Sequence, residues 1–239
     1  MNENILSAPY SVADAPADER AQFIRRTYIH LAGAIFAFTA LEVVWFMTGV
    51  AAWFASMVFS LPFSWIAVMV CFMGVSWIAD KWAASDASSG MQYLGYAVNI
   101  LAQSIVFIPL LYIAVNFSAP NTLPLAAGFT FLLFLGLTAA AFITRKDFSF
   151  LGPALCVGSF IALGVIVVSI LFGFSLGLLF SSIMVAFAGA AILYTTSNII
   201  HQYQPHQHVA ASVALFAAVA LLFWYVLRIL IALSGRSDD

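Results

Sequence analysis

Few side chains in this sequence are equipped for chemistry, and most of those stand where water is scarce. Glu42 lies inside the apolar run Tyr28–Gly49. An ionised carboxylate at such a depth costs about 2.5–3.5 kcal/mol or more on insertion scales unless it is protonated, paired or wetted. Arg228 sits near the far end of the last apolar run. At about 1.5 Å of rise per residue, Glu42 falls roughly 21 Å and Arg228 roughly 28 Å from the same ends of their helices, an offset a long arginine can cover. Two readings stand: the two pair across the bundle, or Glu42 carries a proton while Arg228 reaches outward to the interface. Asn99 and Gln103 are one helical turn apart and should share a face turned into the bundle, because a bare amide in lipid is costly. Interhelical hydrogen bonding is the plainer role for them, and a water-lined path the sharper one.

The richest polar stretch ends the segment Ala188–His201, where small apolar residues give way to Tyr194, Thr195, Thr196, Ser197 and Asn198, then His201. A polar knot at the end of a hydrophobic helix is where chemistry or ion contact is expected in a membrane. His201, His206 and His208 crowd the following gap. Neither a His-x-x-x-His spacing nor a nearby carboxylate accompanies them, so a polar loop is a better reading than a metal site. His30 reads as an interfacial hydrogen-bonder. Arg145 and Lys146 form an interfacial anchor, and Asp147 or Ser149 can cap the next helix, with Pro153 tolerated in its first turn. No Gly-x-Ser-x-Gly, His-Glu-x-x-His or P-loop occurs, and no pair of aspartates sits in the spans. The two lysines, Lys81 and Lys146, stand in gaps, so no Schiff-base lysine lies inside a helix. No enzymatic role, cofactor or metal is expected.

The solvent that must position these groups is lipid. Of 239 residues, 64% are hydrophobic and 8% charged, against about 25% charged in a soluble domain. A net charge of −2 offers no basic face for nucleic acid. Cys71 and Cys156 both lie in apolar segments and read as small buried hydrophobes. A span needs roughly 20 apolar residues. Seven runs qualify, at about 28–49, 62–78, 91–115, 123–143, 152–172, 176–200 and 209–233, with residues 51–60 lying in the interface ahead of the short second one. Continuous hydrophobicity without alternation argues for helices over a barrel. Residues 1–22 read as a disordered cytoplasmic tail that is not a cleavable signal, 23–235 as the membrane domain and 236–239 as a short tail. Arg20, Arg25, Arg26, Lys81, Arg145 and Lys146 all fall on one side, which the positive-inside rule makes cytoplasmic. The N-terminus is then inside and the C-terminus outside.

Three strings together carry a resemblance. They are Phe23-Ile24-Arg25-Arg26-Thr27-Tyr28, Thr144-Arg145-Lys146-Asp147-Phe148-Ser149-Phe150-Leu151-Gly152, and Gly189 to His201, the last followed by Leu227-Arg228-Ile229-Leu230. They resemble the Bax inhibitor-1 family (transmembrane Bax inhibitor motif proteins), and within it the bacterial YccA-type branch. The resemblance spans nearly the whole chain from Phe23. It implies an all-α, seven-span fold in which six helices surround a central sixth, and a multi-pass location in the bacterial cytoplasmic (inner) membrane. It implies two activities in different members: modulation of the membrane-bound AAA protease FtsH, and a pH-sensitive calcium or proton leak that depends on two aspartates. This chain departs from the leak pattern. Thr195 stands where Leu-Tyr-Asp-Thr would place one carboxylate, and an ungapped count back from Arg228 puts Ala218 at the other. Two close carboxylates can share a proton, and a hard divalent cation wants several oxygens including carboxylates. Threonine and alanine provide neither. The expectation is therefore a non-enzymatic modulator with the bilayer and a membrane AAA protease or other membrane proteins as partners. The alternative is a cation leak through Glu42, Asn99, Gln103 and the polar knot.

Overall fold

The structure, a computed structural model, describes residues 11–61, 63–85, 88–144 and 146–234. Pro62, residues 86–87, Arg145 and residues 1–10 and 235–239 lie outside the described residues. Its helices are α1 (Ala17–Met47), α2 (Val50–Ser60), α3 (Ser64–Ala83), α4 (Ser89–Phe117), α5 (Thr122–Thr144), α6 (Leu151–Phe172), α7 (Leu178–His201) and α8 (His208–Ser234). All but α2 are long and apolar enough to cross a membrane. A helix satisfies its own backbone groups, the only open-ended solution in hydrocarbon. No strand occurs among the described residues.

Local chemistry marks the ends. Gly49 adopts φ +79° between α1 and α2, and Gly173 φ +70° after α6, left-handed conformations that glycine takes without Cβ strain. Ser88 caps α4 by accepting the Met91 N–H at 3.2 Å. Helices α3 and α4 form the closest pair. A Cβ on Gly95 would strike the Ala79 carbonyl oxygen and the Ala83 nitrogen, so the two backbones touch there. Small residues perform this service throughout, since lipid tails supply no hydrophobic drive between helices and close packing must hold them.

The central helix is α8. It packs against α1, α3, α4, α5 and α7, and Leu215, Leu222 and Leu227 on it are fully buried. This corrects the expected central sixth span. Helix α7 is flanked by α5, α6 and α8, and α6 packs on α7 at the edge. Helix α8 suits the centre because Ala211, Ser212, Ala218 and Ala220 give it a narrow profile.

Three further expectations are revised. Residues 11–22 are ordered: Val12–Asp14 form a 3-10 turn with Val12 buried, and α1 starts at Ala17. The second span is longer than 62–78, because α3 continues through Asp80 and Lys81 to Ala83, with Lys81 Nζ lying 3.7 Å over the Trp77 ring. Cys71 and Cys156 are exposed, not buried, because they fall on the outer faces of α3 and α6.

Candidate functional site

The polar end of α7 is built as a clasp. Ser197, fully buried, accepts the Phe148 N–H at 2.8 Å and donates to Asp147 Oδ1 at 3.4 Å. Asp147 Oδ1 also accepts the Ser149 N–H at 2.9 Å, a tight Asx turn. These hydrogen bonds, the Ser149 backbone foremost, hold the Asp147 carboxyl below the usual carboxylate range. His201 Nδ1 meets the Ser197 carbonyl at 3.0 Å. The expected cap is not formed: Phe150 occupies the N-cap of α6 without a side-chain bond, and Asp147 spends its oxygen on Ser149 and Ser197. A Cβ on Gly152 would lie 3.1 Å from the Tyr194 ring, so α6 begins directly against α7. Lys146 is exposed beside this turn.

The chain leaving α7 is gathered into the same joint. The Asn198 carbonyl accepts the Gln202 and Tyr203 N–H groups at 2.8 and 3.1 Å. The Tyr203 carbonyl then accepts the Val12 N–H at 2.8 Å, which straps the N-terminal turn across the α7–α8 connection. Burial, with Tyr194 and Asp80 nearby, pushes the Tyr203 hydroxyl up to about 12. Thr195 and Ala218 are both buried, and neither position carries a carboxylate. Among the described residues no group of three His, Cys, Asp or Glu is placed to hold a metal ion.

A second arrangement lies between α3, α4, α6, α7 and α8. Asn99, Gln103 and Arg228 line a cavity of about 500 Å³ together with Asp80. Asn99 donates to Asp80 Oδ1 at 3.1 Å, an interhelical bond of the kind its period anticipates. Arg228 donates to the Leu176 carbonyl at 3.4 Å, tying α8 to the α6–α7 connection. Asp80 is the candidate residue that sequence reasoning missed. The hydropathy drop at Asp80-Lys81 reads as the end of a span, whereas the helix runs on to Ala83 and brings the carboxylate within reach of Asn99. The amide of Asn99 was the available signal, since it requires a partner.

Glu42 belongs to neither group. It is 7% exposed, and its oxygens have no hydrogen-bond partner among the described residues. It lines a separate apolar groove of about 490 Å³ formed by α1, α4, α5 and α8. The pairing of Glu42 with Arg228 is therefore not formed. Their depths permit it, but they face different sides of the bundle. At the end of the bundle that holds the clasp and Asp80, His30 Nδ1 donates to the Arg26 carbonyl at 2.7 Å, so its Nε2 accepts the Tyr93 hydroxyl at 3.0 Å. His208 stands edge-on to His30 at 5.0 Å between ring centroids.

The fold and its joints define a multi-pass membrane protein, an all-helical bundle of seven spans closed around α8 with a hydrogen-bonded α7 terminus. The family profile described as inhibitor of apoptosis-promoting Bax1 matches residues 20–236, and the chain belongs to this Bax inhibitor-1 family. It is 39% identical over 114 residues to the uncharacterized protein PA2604 of Pseudomonas aeruginosa, covering 47% of this chain and 50% of the relative. It is 32% identical over 123 residues to the Modulator of FtsH protease YccA of Escherichia coli, covering 51% and 56%. It is also 29% identical over 139 residues to a Golgi anti-apoptotic protein of vaccinia virus, covering 50% and 57%. The matched stretch spans about half the length of each of these relatives.

Proposed function

We propose that this protein is a non-enzymatic modulator of a membrane-anchored AAA protease of the FtsH type, acting in membrane-protein quality control in the bacterial inner membrane. The observation that carries this reading is the similarity to the Modulator of FtsH protease YccA. The geometry supports it in one respect. The α7 terminus is a hydrogen-bonded joint of Ser197, Asp147 and Phe148, with Thr195 and Ala218 packed where the leak pattern would need titrating carboxylates. Such a joint holds a surface in shape and does not gate an ion.

Crosslinking in cells, followed by identification of the captured proteins, tests the partner. Capture of the AAA protease, together with slower turnover of a known membrane substrate when this protein is overproduced, is the expected result. Unchanged turnover with no protease recovered removes the reading.

One observation favours the leak as a second reading: Asp80, Asn99, Gln103 and Arg228 share one cavity. Calcium and proton flux in liposomes across pH decides it. Flux equal to that of empty liposomes, and no difference between the native protein and Asp80→Asn, eliminates the leak.

A further inference from the structure

The groove that holds Glu42 has a shape and a charge that neither reading above uses. Its α1 wall runs from Tyr28 to Glu42, about 21 Å of helix rise. The opposite wall is α5, and α4 and α8 form the floor. Tyr28 meets Phe142 of α5 with ring centroids 6.0 Å apart, which bounds the end away from Glu42. Glu42 occupies the other end, five residues before α1 stops at Met47. Ile35 and Phe131 are exposed on the rim, so the groove opens sideways into the bilayer. Between its ends the lining is apolar, with Phe38, Phe107 and Phe216 in its floor and inner wall. The volume of about 490 Å³ lies within the roughly 300–1,000 Å³ of small-molecule sites.

We propose that this groove is a binding site for a single-chain lipophilic amine, whose ammonium group pairs with Glu42 while its alkyl chain lies along α1 and α5. The shape selects a long, narrow, apolar body. The carboxyl selects the head, because an amine takes up its proton and the two then stand as an ion pair. Glu42 presents two buried acceptor oxygens with no donor, and an ammonium group brings three donors and the opposite charge in one compact unit. An anionic head would be repelled. A bare divalent cation needs several oxygens, and Glu42 is the only carboxylate in the lining, with Tyr28, Thr39 and Thr130 as the remaining side-chain oxygens. Thr39 already donates to the Ile35 carbonyl at 2.8 Å. Among the described residues, Tyr28 is the one other titratable group facing the groove and no cation lines it. The end-on placement of Glu42 suits an amphiphile, because the head then lies about 7.5 Å of helix rise from the end of α1 and the tail points toward the membrane interior.

The test uses the full chain in lipid nanodiscs with a photoactivatable, diazirine-bearing dodecylamine, followed by mapping of the labelled peptides. Labelling should concentrate on α1 and α5, and excess dodecylamine should compete it away while dodecanol and dodecanoate should not. Glu42→Gln should weaken capture at least about tenfold, equivalent to about 1.4 kcal/mol, and Glu42→Asp should retain most of it. Ala127→Phe fills the groove from a lining position that is exposed. It should abolish labelling without unfolding, which keeps the proposal testable where Glu42→Gln is unstable. Equal competition by dodecanol would show a generic alkyl groove. Undiminished capture by Glu42→Gln would show that the carboxylate is not the anchor, and label spread evenly over the lipid-facing helices would show partitioning alone. Each of these results overturns the proposal.

Discussion

The Ser197 hydroxyl accepts from the Phe148 N–H and donates to Asp147, and removing it leaves a part-buried donor without a partner. Such a loss costs about 1–3 kcal/mol. Ser197→Ala should lower the unfolding midpoint in detergent by an amount of that order, and should release the Phe148 amide to deuterium exchange while the Ser149 amide, held by Asp147, keeps its protection. The reverse holds for Asp147→Ala, which removes the acceptor of the Ser149 N–H. Acid should act on the same joint. Because the folded carboxyl is held below the ordinary value of about 3.9, its stabilisation is complete at neutral pH and goes as pH falls through the lowered value. Exchange protection at Ser149, corrected for intrinsic rate, should therefore fall below about pH 3.9 and stay flat between neutral and mildly acidic conditions. At this scale the sequence was partly legible. Asn99 and Gln103 point inward as their one-turn spacing requires. Depth along a helix is also readable, but rotation about its axis is not, which is why Glu42 and Arg228 match in depth and still miss each other.

Helices α3 and α4 owe their contact to one missing Cβ. Gly95→Ala places a methyl against the Ala79 carbonyl, the Ala83 nitrogen and, at 2.9 Å, the Trp82 Cβ, and the obstructing atoms are mostly backbone. Overpacking of this kind costs about 1–3 kcal/mol. Gly90→Ala, whose new Cβ would have only Ser88 Oγ at 3.9 Å for company, should be neutral or slightly stabilising, as alanine is the better helix former by about 1 kcal/mol. Thermal unfolding of the two variants side by side checks the contrast, and equal midpoints would show that the α3–α4 contact is looser than described. The existence of each long helix was plain from hydropathy, because twenty apolar residues in lipid have one available conformation. Which helix the others enclose was not plain. The small residues of α7 and its polar end drew attention to Ala188–His201, while Ala211, Ser212, Ala218 and Ala220 give α8 the same narrowness without any polar advertisement.

The whole molecule presents its charge unevenly, and the positive-inside rule turns that into an expectation of orientation. Arg20, Arg25, Arg26, Lys81 and Lys146 lie at one end of the bundle, the end that also carries the α7–α8 connection. Placed inside by the positive-inside rule, this end should be shielded in intact cells. With Cys71 and Cys156 replaced by alanine, a cysteine at Asn121 should react with a membrane-impermeant maleimide added outside, and one at Gln204 only after lysis. The opposite pattern would invert the topology. The sequence could not show that residues 11–22 join this end, because the strap is a single backbone hydrogen bond from Val12 to Tyr203 and leaves no mark in composition.

The central position of α8 also bears on how the protein is made. Chains emerge from the ribosome N-terminus first, at about 5–20 residues per second, so α8 follows every other helix into the membrane. Helices α1, α3, α4, α5 and α7 all pack against it, and until it arrives α4 joins α1, α3 and α5 while α7 reaches that group only through α5. Closure of the bundle is thus a post-insertional event, and each shorter nascent chain displays in the bilayer the narrow faces that the finished protein conceals.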